Sequence, residues 1–378
     1  PTSRVYRNNG DSTFTDMTAA SGLIHYESTH GGATAGDIDG DGDLDVFVGG
    51  WFEQTYHLFR NDGSFRFTDV AAEAGGFPAD DRFHWQPVFL DLDNDGNLDL
   101  FVAIDFNEDY ALKGNGDGTF TNVSREWNTL HFANDMGVAV GDVNRDGKLD
   151  LYTTNMSATP FNTNDEPGPN ALYMSTDTDR FENRAVQSGV DNTFFAWGTW
   201  LWDANLDGAL DLMAVNGWVQ PEWHTRAQFF IGRGDGTFLD AGLTSGLDHR
   251  GDTRGLAPID LENDGDIDFI LCDVYGNATV LRNDTPREGN AWLRVKARGT
   301  VSNRNGVGTK IFVTVGDETW RSDIFVGGSF YSAPPVEAHF GLGAIDTIDQ
   351  IRVLFPSGRE VILQDVDPNQ ILTVTEPM

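Results

Sequence analysis

One cysteine, Cys272, stands in 378 residues, so no internal disulfide framework staples this chain. Basic residues are scarce too. Lys and Arg number 25 against 59 Asp and Glu, a formal charge of −34. That excess repels phosphate backbones and anionic bilayers alike, which argues against nucleic-acid binding. Nowhere do 18 apolar residues run together, so no membrane insertion through a helix is expected. No segment holds the helical apolar period for three turns, leaving room only for short helical turns at residues 68–74 and 184–188. The nucleophile elbow Gly-x-Ser-x-Gly, the zinc motif His-Glu-x-x-His and a Walker loop are all missing. The opening Pro1-Thr2-Ser3-Arg4 shows no signal peptide.

What is present is a repeat. Hydrophobic residues at 39% and aromatic ones at 12% supply a real core and exclude disorder. Five acidic nonapeptides recur, starting at Asp37, Asp91, Asp142, Asp203 and Asp260, at intervals of 54, 51, 61 and 57 residues. A second element recurs out of phase with them, as in VYRNNGDSTFTDM from Val5 and LFRNDGSFRFTDV from Leu58. Each copy is an apolar strand, a Gly/Asn/Asp turn and a second strand, which is hairpin grammar. Two hairpins per period make a four-stranded unit, and that period fits one blade of a β-propeller.

The nonapeptides read D-x-[DNE]-x-D-G-x-[LI]-D. Positions 1, 3, 5 and 9 carry side-chain oxygens in every copy: Asp37, Asp39, Asp41, Asp45; Asp91, Asp93, Asp95, Asp99; Asp142, Asn144, Asp146, Asp150; Asp203, Asn205, Asp207, Asp211; and Asp260, Glu262, Asp264, Asp268. Position 7 varies among Asp43, Asn97, Lys148, Ala209 and Asp266, so its natural contribution is a backbone carbonyl. Calcium takes six to eight such oxygens in loose geometry, and glycine at position 6 lets the chain turn back. Without a cation, three or four carboxylates in one bend repel each other, and five repetitions of that clash call for Ca²⁺ at about five sites. An EF-hand is excluded, because the residues three beyond position 9 are Val48, Val102, Thr153, Ala214 and Leu271, in β-rich runs. The third and fourth loops, with Asn144 and Asn205, are expected to bind more weakly.

These loops and their flanks resemble the FG-GAP (VCBS-like) repeat of integrin α-subunit propellers and many secreted bacterial proteins. The tail resembles the ASPIC/UnbV domain through Asn290-Ala291-Trp292-Leu293-Arg294-Val295, Gly306-Val307-Gly308-Thr309-Lys310, Gly327-Gly328-Ser329, His339-Phe340-Gly341-Leu342-Gly343 and Phe355-Pro356-Ser357-Gly358. One departure is Gln86, where the other copies have Gly five residues before the loop. The resemblance implies a calcium-loaded propeller and settles no reaction. The expected fold is all-β, a propeller most simply of seven blades. Residues 1–284 would form the calcium-loop blades. The ASPIC/UnbV-like residues 285–378, with Val5-Tyr6-Arg7, would complete the ring. Six blades, or a propeller beside a β-sandwich, stay open.

Opposite the loops, the ends of the inner strands gather varied and aromatic residues. His30, His84, His131, Asp135, Trp85, Trp197, Trp218 and Arg254 are expected to line a central funnel. Such a site suits a carbohydrate, another small molecule or a protein ligand. The blander alternative is packing between blades. A pocket joining His84, His131 and Asp135 would favour a cofactor-independent enzyme such as a lyase, dehydratase, isomerase or cyclase. Cys272, in an apolar strand, is expected to be buried. Arg250-Gly251-Asp252 spells an adhesion tripeptide that three residues often match by chance. Millimolar calcium outside cells would fill even weak loops, which favours a secreted or periplasmic location.

Overall fold

The computed structural model describes residues 4–23, 29–51, 56–78, 82–156, 169–178, 180–218 and 225–378, with the side chains of residues 29, 30 and 51 outside that description. Each acidic nonapeptide closes an antiparallel hairpin. Thr29–Gly36 pairs with Asp45–Trp51, Phe83–Leu90 with Asp99–Asp105, Asp135–Gly141 with Asp150–Asn155, Ala196–Trp202 with Asp211–Asn216, and Thr253–Ile259 with Asp268–Asp273. The second repeated element adds the outer strands, such as His57–Asn61 and Phe67–Asp69. Four repeat sheets thus have four strands in up-and-down order, and the fifth stops at three with Thr279–Leu281. Short helices follow the outer strands at Ala71–Ala74 and Ala185–Ser188, within the two stretches expected from sequence, and also at Thr18–Ser21 and Ser124–Trp127.

The inner strands lie side by side in chain order, from the first sheet to the fifth. Their backbones come so close that a Cβ on Gly32, Gly137 or Gly198 would run into the carbonyl of Trp85, Trp197 or Arg254 in the next sheet. That is the physical reason for glycine five residues before the loop. Gln86, the exception, is buried and donates through Nε2 to the Pro87 carbonyl, 3.0 Å away. Every inner strand also carries a register shift near its start, as between His84 and Gln86 or Thr253 and Gly255. A bulge of this kind re-aims side chains. Apolar residues fill the spaces between sheets, with Phe47, Phe89 and Tyr110 between the first two and Tyr152, Leu201 and Phe230 between the third and fourth.

The tail does not supply further blades. Ala338–Gly341, Trp292–Arg298 and Gln370–Thr375 form one sheet, and Glu318–Asp323, Lys310–Val315, Ile348–Leu354 and Glu360–Val366 another. Both bury one face around a shared core that includes Leu293, Val313, Ile351 and Val374. Trp292–Arg298 pairs with Gln370–Thr375 in parallel, which an up-and-down blade cannot contain. The open alternative of a β-sandwich beside the repeats therefore describes the tail, and the seven-bladed arrangement is not formed. The N-terminal strand Tyr6–Asn8 pairs with Phe14–Asp16 and, among the described residues, with no tail strand.

The sandwich sits on the acidic-loop ends of the sheets and sends one segment between them. Val326 bridges to Ala35, Gly327 to Val88 and Ser329 to Val138, on three successive inner strands. Phe325 stacks on Trp200 of the fourth sheet, and the hydroxyls of Ser329 and Ser332 both donate to the Leu256 carbonyl of the fifth, each at 2.8 Å. Residues 325–332 are thus a strap along the axis that touches all five sheets.

Candidate functional site

The five loops share one hydrogen-bond plan. The position-6 N–H donates to the position-1 carboxylate at 2.6–3.0 Å. The position-6 glycines all have positive φ, from 82° at Gly147 to 97° at Gly96. Position 4 is left-handed as well, at Gly40, Asn94, Arg145, Leu206 and Asn263, a demand the sequence pattern did not reveal. The position-9 carboxylates of Asp45, Asp99, Asp150, Asp211 and Asp268 are buried and have a double task. One oxygen accepts from the position-2 N–H at 2.8–3.0 Å. The other accepts from the third strand or just beyond it, at the N–H of Asn61, Gly114, Ser175, Gly232 or Asn283, 2.7–3.0 Å away. Position 9 thereby ties the loop to its sheet.

In the first two loops the oxygens of positions 1 and 3 converge with that of position 5 or position 9. Carboxylate atoms of Asp37, Asp39 and Asp41 lie within 4.8 Å of one another, as do those of Asp91, Asp93 and Asp99. Burial pushes Asp45 and Asp211 up to about 7 and Asp142 up to about 6. It holds Asp99, Asp150 and Asp203 well above the ordinary carboxylate range, with neighbouring aspartates adding to the rise. These groups are short of positive charge, which is what a divalent cation supplies.

Side chains of the sandwich reach into this end. Lys310 Nζ lies 2.5 Å from Asp91 Oδ2, and Arg294 Nη1 lies 2.7 Å from Asp260 Oδ2. Arg287 pairs with Asp264 and Asp266, and Lys113 of the second sheet with Asp93 and Asp95. Trp320 and Arg321 donate to the carbonyls of Gly208 and Gly147, and His339 Nε2 lies 2.7 Å from the Gly265 carbonyl. Among the described residues, no lysine or arginine pairs with an acid of the first loop.

At the opposite end the expected funnel is filled. Trp85, Met136 and Trp197 do face the axis, but Phe330 of the strap occupies it, with ring centroids 5.4 Å from Trp85 and 5.1 Å from Trp197. Trp85 and Trp197 are buried. Trp218 is half-buried and stacks on Trp197, 5.8 Å away with planes 2° apart, and the Arg254 guanidinium lies 3.9 Å above the Trp197 ring. Tyr331, 50% exposed, forms the outer rim beside Trp85. His84 is buried edge-on to Tyr56 and Tyr110, its pKa pushed down to about 4 by burial. It does not join His131 and Asp135, which pair at 2.9 Å. The side chain of His30 lies outside the described residues. Asp109, which also reaches His131 and Asp135, escaped the sequence reading because no repeat position marks it. Asp252 of the Arg-Gly-Asp tripeptide is buried, 2.5 Å from Arg254, and so is not displayed for adhesion. Cys272 is exposed rather than buried, because its strand lies in the last repeat sheet, which no further repeat sheet follows among the described residues.

Comparison with known proteins agrees with the sequence motifs. The FG-GAP-like repeat family matches residues 2–48, 37–102 and 91–153, and the ASPIC and UnbV family matches residues 299–378. Residues 2–153 thus carry FG-GAP-like repeats and residues 299–378 an ASPIC/UnbV domain. Among curated proteins it is similar to cartilage acidic protein 1, at 28% identity over 313 residues of the Xenopus tropicalis protein and 28% over 296 residues of the Homo sapiens one. Those alignments cover 75% and 74% of this chain but 45% and 42% of the relatives, so the chain spans less than half their length. Solved structures with some likeness include an Agrocybe aegerita lectin described as recognising non-reducing terminal N-acetylglucosamine. It has TM-score 0.41 and 19% identity, covering 75% of each chain. Another is the BP39L lectin from Burkholderia pseudomallei, with TM-score 0.40 and 10% identity, covering 91% of this chain and 99% of that one. Likeness at that level carries no argument about ligand.

Proposed function

We propose that this chain is a calcium-stabilised, propeller-like binding module that works outside the cell or in the periplasm. The observation behind the reading is the fivefold loop whose buried position-9 carboxylates have no basic partner among the described residues, with carboxylates of the first two loops converging within 4.8 Å. Positions 1, 3, 5 and 9, with the position-7 carbonyl, would hold the ion. Calcium would then supply the charge that locks the loop ends of the sheets under the sandwich. Extracellular calcium keeps such loops filled, and the curated relatives' name, cartilage acidic protein, accords with that setting.

The ligand surface in this reading is the aromatic rim of the opposite end, formed by Trp218, Tyr331 and Arg254. A flat stacked tryptophan beside a guanidinium suits the apolar face and hydroxyls of a sugar, or a protein side chain. The rival enzymatic reading needed His84 in one pocket with His131 and Asp135, and the axis is packed instead. A panel of neutral monosaccharides and oligosaccharides titrated against intrinsic tryptophan fluorescence tests the surface. Trp218→Ala should weaken any binding at least tenfold while leaving calcium-dependent melting unchanged. Binding that is equally tight in Trp218→Ala and Tyr331→Ala would remove the rim from consideration.

A further inference from the structure

The second and third repeat sheets are stapled on their far side from the acidic loops. Asn107–Glu108 pairs with Phe132–Ala133, and the Asp109 N–H donates to the His131 carbonyl at 3.3 Å. This staple carries three side chains to one point. One ligand atom each from Asp109, His131 and Asp135 lie within 4.8 Å of one another. Asp109 and Asp135 are completely buried, whereas the His131 side chain keeps 14% exposure. We propose that Asp109, His131 and Asp135 form a second kind of metal site, which takes a divalent transition ion such as Zn²⁺ in preference to Ca²⁺.

Charge and bonding both carry the inference. Two adjacent carboxylates are removed from water here, with Asp105 buried nearby. Among the described residues no lysine or arginine pairs with any of the three. An unpaired buried carboxylate costs several kcal/mol, so the cluster requires either protons or a cation. Asp109 is partly provided for, since Oδ1 accepts from the Ile104 N–H at 2.8 Å and Oδ2 lies 3.1 Å from the Tyr173 hydroxyl. Asp135 is not. Its Oδ2 lies 2.9 Å from His131 Nδ1, while its Oδ1 makes no hydrogen bond of good geometry and has only the Thr153 hydroxyl and the Asp109 carboxyl as polar neighbours. That buried, poorly satisfied oxygen beside the Asp109 carboxyl is what a bound ion would satisfy.

The donor set selects the ion. Calcium prefers oxygen donors in number, while one imidazole with two carboxylates suits Zn²⁺, Mn²⁺ or Co²⁺. Three protein donors leave a coordination position for water or a ligand, on the His131 side where the cluster meets solvent. No other repeat offers the same acids. The position of Asp135, seven residues before its loop, is His30, His84, Ala196 or Thr253 elsewhere. In the fifth sheet His249 meets Thr253 and Asp273 instead, with a single carboxylate.

The inference stands apart from the calcium reading, and its test is run with calcium saturating. Chelated protein is reloaded with excess Ca²⁺ and then titrated with Co²⁺, the spectroscopic stand-in for Zn²⁺. A visible ligand-field absorption should appear, be removed by Zn²⁺ and resist further Ca²⁺. His131→Ala should abolish it, a larger loss than the ~10–100-fold that outer-shell changes cost in affinity, with calcium-dependent melting retained. If that variant fails to fold, carbethoxylation of wild-type His131 decides, and Zn²⁺ should protect it. No absorption in the wild type, absorption that survives His131→Ala, or no protection of His131 would overturn the site and leave the two acids sharing a proton.

Discussion

The two ends of the repeat sheets are built on different principles. At the acidic-loop end, five segments obey one local rule, and each atom of the rule is met within a dozen residues or by the adjoining strand. At the other end the same strand positions hold His84, Asp135, Ala196 and Thr253 in turn, and their contacts differ from sheet to sheet: His84 meets Tyr56 and Tyr110, Asp135 meets His131 and Asp109, and Thr253 meets His249 and Asp273. A repeat preserves what each unit needs by itself. Where the units differ, the function and the closure of the assembly reside.

That contrast is tested most severely by removing calcium. If the loops are the lock, chelation should lower the melting temperature by far more than any single substitution. A site held at 100-fold over its Kd contributes about 2.7 kcal/mol, and five such sites would exceed the whole stability of many domains. The calcium-free protein should also respond to pH in a set direction. Asp45 and Asp211, raised to about 7, and Asp142, raised to about 6, hold protons in the folded state that the unfolded chain releases near pH 4. Stability from these groups is full below that pH and is lost as pH climbs through 6 to 7. Calorimetry of chelated protein should therefore show its melting point falling between pH 5 and pH 8, with calcium flattening the trend. A melting curve indifferent to chelator would undo the contrast. Within the set, the first loop has carboxylates at all four of positions 1, 3, 5 and 9 and no paired base among the described residues, so it should fill first. The third and fourth loops have fewer carboxylates, and Lys310 and Arg294 compete at the second and fifth.

The opposite end is tested through the strap. Phe330, 1% exposed, is wedged between Trp85 and Trp197 on the axis of the sheets. Phe330→Ala should cost about 3–5 kcal/mol, as truncation of a buried aromatic does, and should shift tryptophan emission to longer wavelength. Calcium binding to the loops should survive, since the ring contacts of Phe330 among the described residues are with Trp85, Trp197 and Tyr331, none of them in a loop. A loss below ~1 kcal/mol with unchanged emission would mean that the axis is not held by the tail.

How far the sequence could be read follows the same division. The loop hairpins, the glycine at position 6 and the order of four strands in the first four repeats were legible, because spacing and turn chemistry act over a few residues. Even the axis-facing residues Trp85 and Trp197 were picked out from the ends of the inner strands. The filling of that axis was not legible. Gly327-Gly328-Ser329 was seen as a family motif, yet nothing local says that it crosses five inner strands. Asp109 was hidden for a like reason, since its partners sit in the neighbouring sheet. The tail was expected to complete the ring, but strand spacing does not distinguish a blade from half of a sandwich. Only the parallel pairing of Trp292–Arg298 with Gln370–Thr375 does so.

The smallest expected effect concerns the flank of the fifth sheet. Cys272 alternates with Leu271 along one strand. Leu271 is fully buried toward the fourth sheet, and Cys272 faces outward, where a repeat further along would have covered it. The apolar run Ile270-Leu271-Cys272 looked like a strand covered on both faces, but the end of an array covers only one. Native, calcium-loaded protein should therefore react with an aromatic disulfide reagent at a rate within about tenfold of the denatured chain, since thiol reactivity follows access as well as ionisation. Cys272→Ser should move stability by no more than about 0.5 kcal/mol, as surface substitutions do. A thiol that reacts only after unfolding would mean that this flank is covered in solution and that the array of sheets closes on itself.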